Sequence, residues 1–380
     1  PSPPRSMAGC SSVPEMTLPY MNLALALARE GALFAPPNPL VGAVVVKEGR
    51  VLSAGFHRRY GELHAERLCL QNDEDYSGAD LYVNMEPCCH HGKTPPCTEI
   101  ILQKGIRRVF ISHRDPNPLV AGKGVEILRR GGVEVIEGIL QEEALELNQP
   151  FLCSITRKRP YVTLKVATSL DGRLAAHTGE SERLSSPLSH EIVHLIRRES
   201  DAIMVGKGTL LKDNPLLTVR GEGEGKPLLR AVLSSHLDLE ERANLFHTPQ
   251  GGDVHLFASR ECDPHRVRLW GERGVKVHQV GSGDGGLNLE EVLAVLQELR
   301  TGRLLVEGGG ALASSFLKAD LVDRLVLFMD PSTLLGDGIP FSGSLRPLSP
   351  AQGRRLKKVR FFDLDTNILL EGFFHVYGDR

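Results

Sequence analysis

Apolar and polar positions along the chain follow two rhythms, one helical and one extended. Met21 to Arg29 (MNLALALAR) has helical spacing, whereas Val41 to Val46 (VGAVVV) is a β-branched run of the kind found in buried strands. The alternation continues: His64 to Leu70 predicts a helix, Leu81 to Met85 a strand, Thr98 to Lys104 a helix, Val109 to Ser112 a strand, Gly124 to Arg130 a helix and Val133 to Val135 a strand. Helices alternating with strands predict an α/β domain whose sheet is covered by helices.

The rhythm breaks between Asn148 and Pro160 (NQPFLCSITRKRP), a Pro-bounded stretch with a basic cluster, and the domain boundary is expected there. A second alternation starts at Tyr161 to Ala167 (YVTLKVA). It passes through a helix near Ser189 to Arg198, a strand at Ala202 to Val205, an amphipathic helix from Glu290 to Arg300 and a strand at Arg303 to Val306. A three-glycine turn and a strand at Leu325 to Met329 follow. The expected division is a disordered leader at 1–15, a first domain at 16–155 and a second at 156–380. A chain of 380 residues exceeds the roughly 250–300 at which single cores stop growing, so two domains suit its length. The Gly-rich stretches at 221–225 and 281–286 read as surface loops.

Composition narrows the partners. No stretch approaches the roughly 18 apolar residues of a membrane span. Lys and Arg total 45 against 47 Asp and Glu, a net charge of −2, which argues against a nucleic-acid partner. The seven cysteines are odd in number and unevenly spaced, which suits a reducing, cytoplasmic compartment better than a disulfide framework.

The strongest chemical signal is His64-Ala65-Glu66, followed by Glu86-Pro87-Cys88 and then Cys97. One imidazole and two thiolates make a three-ligand zinc set whose fourth position stays open to water, as in catalytic and not structural sites. Bound zinc lowers the pKa of that water toward about 7, and a carboxylate beside it can then carry the proton. Glu66, two residues after the His64 ligand, is placed for that role, the one held by the non-ligating Glu of H-x-E…P-C deaminases. Cys69 and Cys153 read as core thiols. Cys89 adjoins a ligand, but adjacent side chains point apart, and it is left out of the set.

These residues, with Asn38-Pro39-Leu40-Val41-Gly42, Gly55-Phe56-His57, the insert from Cys89 to Pro96 and Asp115-Pro116-Asn117-Pro118, resemble the bifunctional riboflavin-biosynthesis deaminase–reductase family. The resemblance runs from about Tyr20 to the C-terminus, and eight residues separate the two cysteine ligands where many nucleoside deaminases have two. It implies a cytidine-deaminase-like three-layer domain followed by a dihydrofolate-reductase-like domain, with zinc and NADPH as cofactors and phosphoribosylamino-pyrimidines as substrates. It also implies deaminase substrate contacts at Asn38, His57, His90, Lys93, Asp115 and Asn117; His91 is left out.

In the second half the resemblance rests on Lys165 to Gly172, Gly179-Glu180-Ser181, Gly208-Thr209, Asp213 to Arg220 and Arg303 to Leu312. It implies cofactor contacts at Ala167, Thr209, Asp213, Gly308, Gly309, Gly310 and Ala311, and substrate contacts at Ser181, Arg197, Leu217, Arg220 and Glu307. A glycine turn ahead of a helix suits a pyrophosphate, and two arginines suit a sugar phosphate. Where the family commonly carries an aromatic residue beside the nicotinamide, this chain has Arg183, whose guanidinium is expected to cover the cofactor or pair with a phosphate. Lys165 and Asp171 are the candidates for the reductase's proton donor.

Two rival readings exist. A nucleic-acid base deaminase would need a basic groove and aromatic platforms, and aromatic residues are only 5% of the chain. A zinc-stabilised scaffold would bind metal without deaminating anything. Homo-oligomer formation is left open by the sequence.

Overall fold

The structure is a computed structural model and describes residues 17–117, 120–178, 184–220, 226–248, 252–343, 345, 347 and 349–378. It divides into two compact units, ending and beginning at Asn148 and Gln149.

The first unit runs α1 (Thr17–Glu30), β1 (Gly42–Lys47), β2 (Arg50–Phe56), α2 (Ala65–Leu70), β3 (Asp80–Met85), α3 (Cys97–Gln103), β4 (Arg108–His113), α4 (Lys123–Arg130), β5 (Glu134–Glu137) and α5 (Gln141–Leu147). The five strands form one sheet in the order β2-β1-β3-β4-β5, antiparallel through β2, β1 and β3 and parallel from β3 to β5. Because neighbouring residues of a strand face opposite ways, the apolar runs feed two cores. Val44, Val46, Tyr82 and Phe110 pack with Tyr20, Met21 and Leu25 of α1 and Ala144 of α5. On the opposite side, Ala43, Val45, Leu81, Val83, Val109 and Ile111 pack with Cys69 of α2, Ile101 of α3 and Leu128 of α4. The result is the expected three-layer arrangement.

Helix and sheet approach closely at Gly42, where an added Cβ would lie 2.0 Å from the Ala24 carbonyl oxygen. Gly42→Ala must therefore shift α1 away from β1, at a cost of about 1–3 kcal/mol. Thermal denaturation should show a lowered transition for the first unit, and an unchanged one would show that the helix yields freely.

The second unit opens with α6 (Gln149–Arg157), in the stretch where the sequence predicts a break. Pro150 explains the difference: at the start of a helix its missing N–H has no intrahelical partner to lose. The unit continues β6 (Tyr161–Ser169), β7 (Arg173–Ala175), α7 (Pro187–Glu199), β8 (Ala202–Gly206), α8 (Lys207–Asp213), β9 (Leu229–Leu233), β10 (Val254–Ser259), α9 (Pro264–Glu272) and β11 (Lys276–Val280). It ends with β12 (Ser282–Gly283), β13 (Gly286–Leu287), α10 (Leu289–Glu298), β14 (Arg303–Glu307), α11 (Gly310–Lys318), β15 (Arg324–Asp330), β16 (Ile339–Pro340), β17 (Lys357–Leu364) and β18 (Asn367–Phe373). The stretch at 281–286, expected as a loop, contains the β12–β13 hairpin.

Nine strands form the main sheet, in the order β11-β10-β9-β8-β14-β6-β15-β18-β17. The strands are parallel from β11 to β15, and the C-terminal hairpin joins antiparallel. One face buries Val162, Leu164, Met204 and Val306 against Val292, Leu296 and Phe316 of α10 and α11. The other buries Ile203, Val205, Val232 and Leu256 with Leu210 of α8 and Trp270 of α9. No helix among the described residues is long and apolar enough to cross a membrane.

Candidate active site

The chemistry of the first unit gathers where β3 ends and where α2 and α3 begin. His64 is the residue before the first turn of α2, Cys97 opens α3, and Cys88 lies in the loop after β3. His64 Nδ1 lies 3.4 Å from Cys88 Sγ and 3.4 Å from Cys97 Sγ, and all three donor atoms are within 4.8 Å of one another. A tetrahedral zinc ion with ordinary bond lengths would hold nitrogen and sulfur about 3.6 Å apart, so the donor set fits that metal. Among the described residues it is the only His, Cys, Asp or Glu cluster of this kind, and Cys89 is not part of it.

The electrostatics suit cation binding. Hydrogen bonding from Cys97, aided by His64, draws the Cys88 thiol down to about 4 against the opposing effect of burial. The Cys97 thiol is pushed up, first by its bond to Cys88 and then by burial, so the sulfurs share a proton that a metal would displace. His64 turns Nδ1 to the sulfurs, and Thr94 Oγ1 lies 3.5 Å from its Nε2, where an outer partner orients a ligating ring. Glu66, 3% exposed in the first turn of α2, has its carboxyl pushed up by burial while His64 and the Cys97 thiol act in the opposite direction.

Around this centre lie the expected substrate residues. Leu40 is clasped by two buried amides: Asn148 accepts from its N–H at 2.8 Å, and Asn84 and Asn148 donate to its carbonyl at 2.9 and 3.0 Å. That clasp fixes the turn carrying Asn38. Burial pushes the His57 ring down, leaving it neutral, with Nδ1 3.0 Å from the Leu63 carbonyl and Nε2 2.9 Å from Asn38 Nδ2. A neutral ring donating from Nδ1 accepts at Nε2, so the Asn38 amide nitrogen faces His57 and its oxygen is the end turned away. Lys93 Nζ sits 3.9 Å from the centroid of the Tyr60 ring, a cation–π contact absent from the sequence expectation. His90 is exposed, and His91 pairs instead with Glu99 at 3.4 Å.

Asp115 Oδ1 accepts from the Asn117 N–H at 2.8 Å. Burial nevertheless pushes the Asp115 carboxyl up from 3.8 to about 6. Between those values the folded metal-free protein holds a proton that the unfolded chain has released, so stability falls as pH rises through this window. Asp115→Asn should remove that slope, as measured by urea unfolding of the metal-free protein at pH 4 to 6; an undiminished slope would assign it to another group.

In the second unit, Thr209 of α8 accepts from the Gly309 N–H at 3.1 Å, tying the glycine turn to the start of α8. Gly310 opens α11, and a Cβ there would lie 2.2 Å from the Pro340 carbonyl oxygen. Gly206, Lys207, Gly208, Ser235, Ala311 and Ser315 help to line a cavity of about 560 Å³, which the β12–β13 hairpin closes on another side. Ala167 lies on β6 and packs against the cluster of Val193, Val326 and Phe328, and Asp213 is the last residue of α8; neither lines that cavity.

Arg197, in the last turn of α7, donates to Glu307 at 2.8 and 2.7 Å and to the Thr218 carbonyl at 3.2 Å. Its guanidinium is already held, so a substrate phosphate would have to share it. Leu217 is 2% exposed and packs in the apolar core, with a φ of 52°, so contact with a ligand would involve its backbone. Arg220 is exposed, and its N–H donates to His194 Nδ1 at 3.2 Å. Ser181 and Arg183 lie outside the described residues.

The two proton-donor candidates separate cleanly. Asp171 accepts from Ser169 Oγ at 2.6 Å, Leu335 N at 3.1 Å and Gly336 N at 2.8 Å, which hold its carboxyl below the usual range. It is a loop anchor. Lys165 is half-buried beside Glu307 in the strand register, and desolvation pushes its amine below the usual lysine value.

Fold and site together define a zinc-dependent deaminase unit joined to a nucleotide-cofactor reductase unit. The model of the cytidine and deoxycytidylate deaminase zinc-binding region matches residues 15–113, and that of the RibD C-terminal domain matches residues 160–370. The chain belongs to the RibD family. It is 41% identical to the riboflavin biosynthesis protein RibD of Aquifex aeolicus, covering 94% of this chain and 98% of that one, and 36% identical to RibD of Escherichia coli, covering 93% and 98%. A Thermotoga maritima diaminohydroxyphosphoribosylaminopyrimidine deaminase/5-amino-6-(5-phosphoribosylamino)uracil reductase structure superposes with a TM-score of 0.80 at 38% identity, covering 94% and 98%. An Acinetobacter baumannii RibD structure gives 0.83 at 32%, covering 94% and 99%.

Proposed function

We propose that the first unit deaminates 2,5-diamino-6-(5-phosphoribosylamino)pyrimidin-4-one and that the second reduces the resulting uracil derivative, turning its ribosyl group into a ribityl chain. The observation that carries this reading is the His64, Cys88 and Cys97 triangle beside the buried Glu66, on a chain whose other half is a RibD reductase domain.

His64, Cys88 and Cys97 would hold zinc, which when bound acts as a Lewis acid and acidifies a water molecule. Glu66 would pass one water proton to the ring nitrogen as the water oxygen adds to the amidine carbon and the second to the departing amine, so that ammonia leaves and a carbonyl remains. Asn38, with its amide orientation set by His57, and the Asp115–Asn117 turn read the pyrimidine edge, while Lys93 and His90 face the ribose phosphate.

In the second unit the glycine turn Gly308–Gly310 with Ala311, Thr209, Ala167, Asp213 and Arg183 would hold NADPH, which supplies hydride to the former anomeric carbon of the opened ribosylimine. Lys165 gives the proton that the imine nitrogen gains. Arg197 orients Glu307 toward the substrate, and Ser181, Arg220 and the Leu217 backbone complete its contacts.

Mass spectrometry of the diamino substrate after incubation with the zinc-loaded enzyme tests this. Without NADPH, one amino group should be exchanged for oxygen with release of ammonia; with NADPH, the product should gain two further hydrogens. Ammonia release from RNA but not from the free nucleotide would overturn the reading.

A further inference from the structure

We propose that Glu86 is a positioning residue of the deaminase, whose buried carboxyl holds the Asp115–Asn117 turn against the metal-ligand segment. The inference rests on the reading of Asp115 and Asn117 as substrate contacts.

Glu86 follows β3 and precedes Pro87 and Cys88, yet it is not a member of the donor triangle. It is only 4% exposed, where an acceptor left unpaired is costly. Its two oxygens accept from three backbone N–H groups of a segment far along the chain: Oε2 from Asp115 at 3.2 Å and Gly122 at 2.9 Å, and Oε1 from Val125 at 3.1 Å. Gly122 and Val125 lie at the start of α4, where orphan N–H groups and the helix dipole favour an acceptor. The Glu86 N–H in turn donates to the His113 carbonyl at 3.0 Å. One side chain thus fixes both ends of the segment that carries Asp115 and Asn117.

The packing is close enough for this anchor to set position. A Cβ at Gly124 would lie 2.2 Å from the Pro87 carbonyl oxygen and 3.1 Å from Glu86 Oε1, so α4 presses directly on the segment leading to Cys88. Asp115 is held on one side by Glu86 through its N–H and occupied on the other by Asn117 through its carboxyl. Sequence reading passes over Glu86 because its partners are 29 to 39 residues away and are all backbone groups.

Glu86→Gln keeps the shape but replaces one acceptor with a donor, so whichever way the amide turns, at least one N–H loses its partner. In the zinc-loaded full-length enzyme, KM for the diamino nucleotide should rise about tenfold while kcat changes less than about threefold, the signature of weakened substrate binding by the turn that Glu86 holds. Zinc content and NADPH-dependent reduction should match the unmodified protein. Hydrogen exchange of the Asp115, Gly122 and Val125 amides should be slow in the unmodified enzyme and faster in the variant. Gly124→Ala, which displaces the same helix start with Glu86 intact, should give the same KM rise and guards against misfolding of the first variant. Loss of zinc with unchanged KM, unchanged exchange, or fast exchange in the unmodified protein overturns the proposal. Asp115→Asn and Asn117→Ala run in parallel separate the two readings: if neither raises KM, the substrate assignment has failed; if they do and Glu86→Gln does not, only the anchor has.

Discussion

Glu66→Gln is expected to retain zinc and to lose deamination by a factor of about 10² to 10⁴, the range a positioned general acid–base contributes. The amide matches the carboxyl in shape, so the buried site in α2 is not emptied, but it can neither accept the water proton nor return one to the amine. His64, Cys88 and Cys97 form the donor triangle without Glu66, so metal content should stay at one ion per chain. Reduction of the already deaminated substrate belongs to the second unit and should continue at the unmodified rate, which provides an internal check on folding. A variant that deaminates within tenfold of the parent would remove Glu66 from the mechanism and point to another proton carrier. Loss of zinc alongside activity would make Glu66 a support for the metal instead.

The centre was legible in the sequence because metal chemistry restricts residue type and because each ligand sits on a short local signal: a helix start at His64, a strand end before Cys88, and a helix start at Cys97. The central strands were legible for a similar reason, since strands covered on both faces read as continuous apolar runs. β2 was not recognised: every residue of it is at least partly exposed, and a register shift against β1 breaks its alternation. The C-terminal hairpin was missed because β17 is an edge strand with exposed residues almost throughout.

What stayed hidden was pairing across distance. Asp171 reads as a potential acid until Leu335 and Gly336, more than 160 residues later, are seen donating to it. Leu217 reads as a ligand contact, and its side chain lies in the core, which leaves its backbone for that role. Arg197 reads as a phosphate clamp, and its bidentate partner Glu307, 110 residues away, is invisible to local pattern. Periodicity reports which face of an element is buried, but not which buried charges meet there.

That last pair gives the second large expected effect, because Arg197 and Glu307, at the ends of α7 and β14, form one charge system with Lys165 in the middle of β6. The side chains of Arg197 and Glu307 are 15% and 13% exposed, so removing one partner strands the other in a poorly solvated site. Breaking such a pair costs about 3–5 kcal/mol. Lys165 faces Glu307 from the neighbouring strand and can replace part of the lost charge in Arg197→Ala, which should fall at the low end of that range. Glu307→Gln leaves two cations facing each other and should fall at the high end. The two variants should also move Lys165 in opposite directions. Burial and Arg197 push its amine down while Glu307 pushes it up. Arg197→Ala therefore raises its pKa, and Glu307→Gln lowers it. With Lys165 as the proton donor, reduction fails as the amine deprotonates. The alkaline limb of kcat against pH should shift upward in Arg197→Ala and downward in Glu307→Gln, with deamination unchanged in both. Shifts of the same sign, or none, would exclude Lys165 as the donor. The stability of the unmodified unit carries the same signature: because the folded pKa lies below 10.5, the unfolded chain holds the extra proton over that interval, and stability should rise with pH toward 10.5.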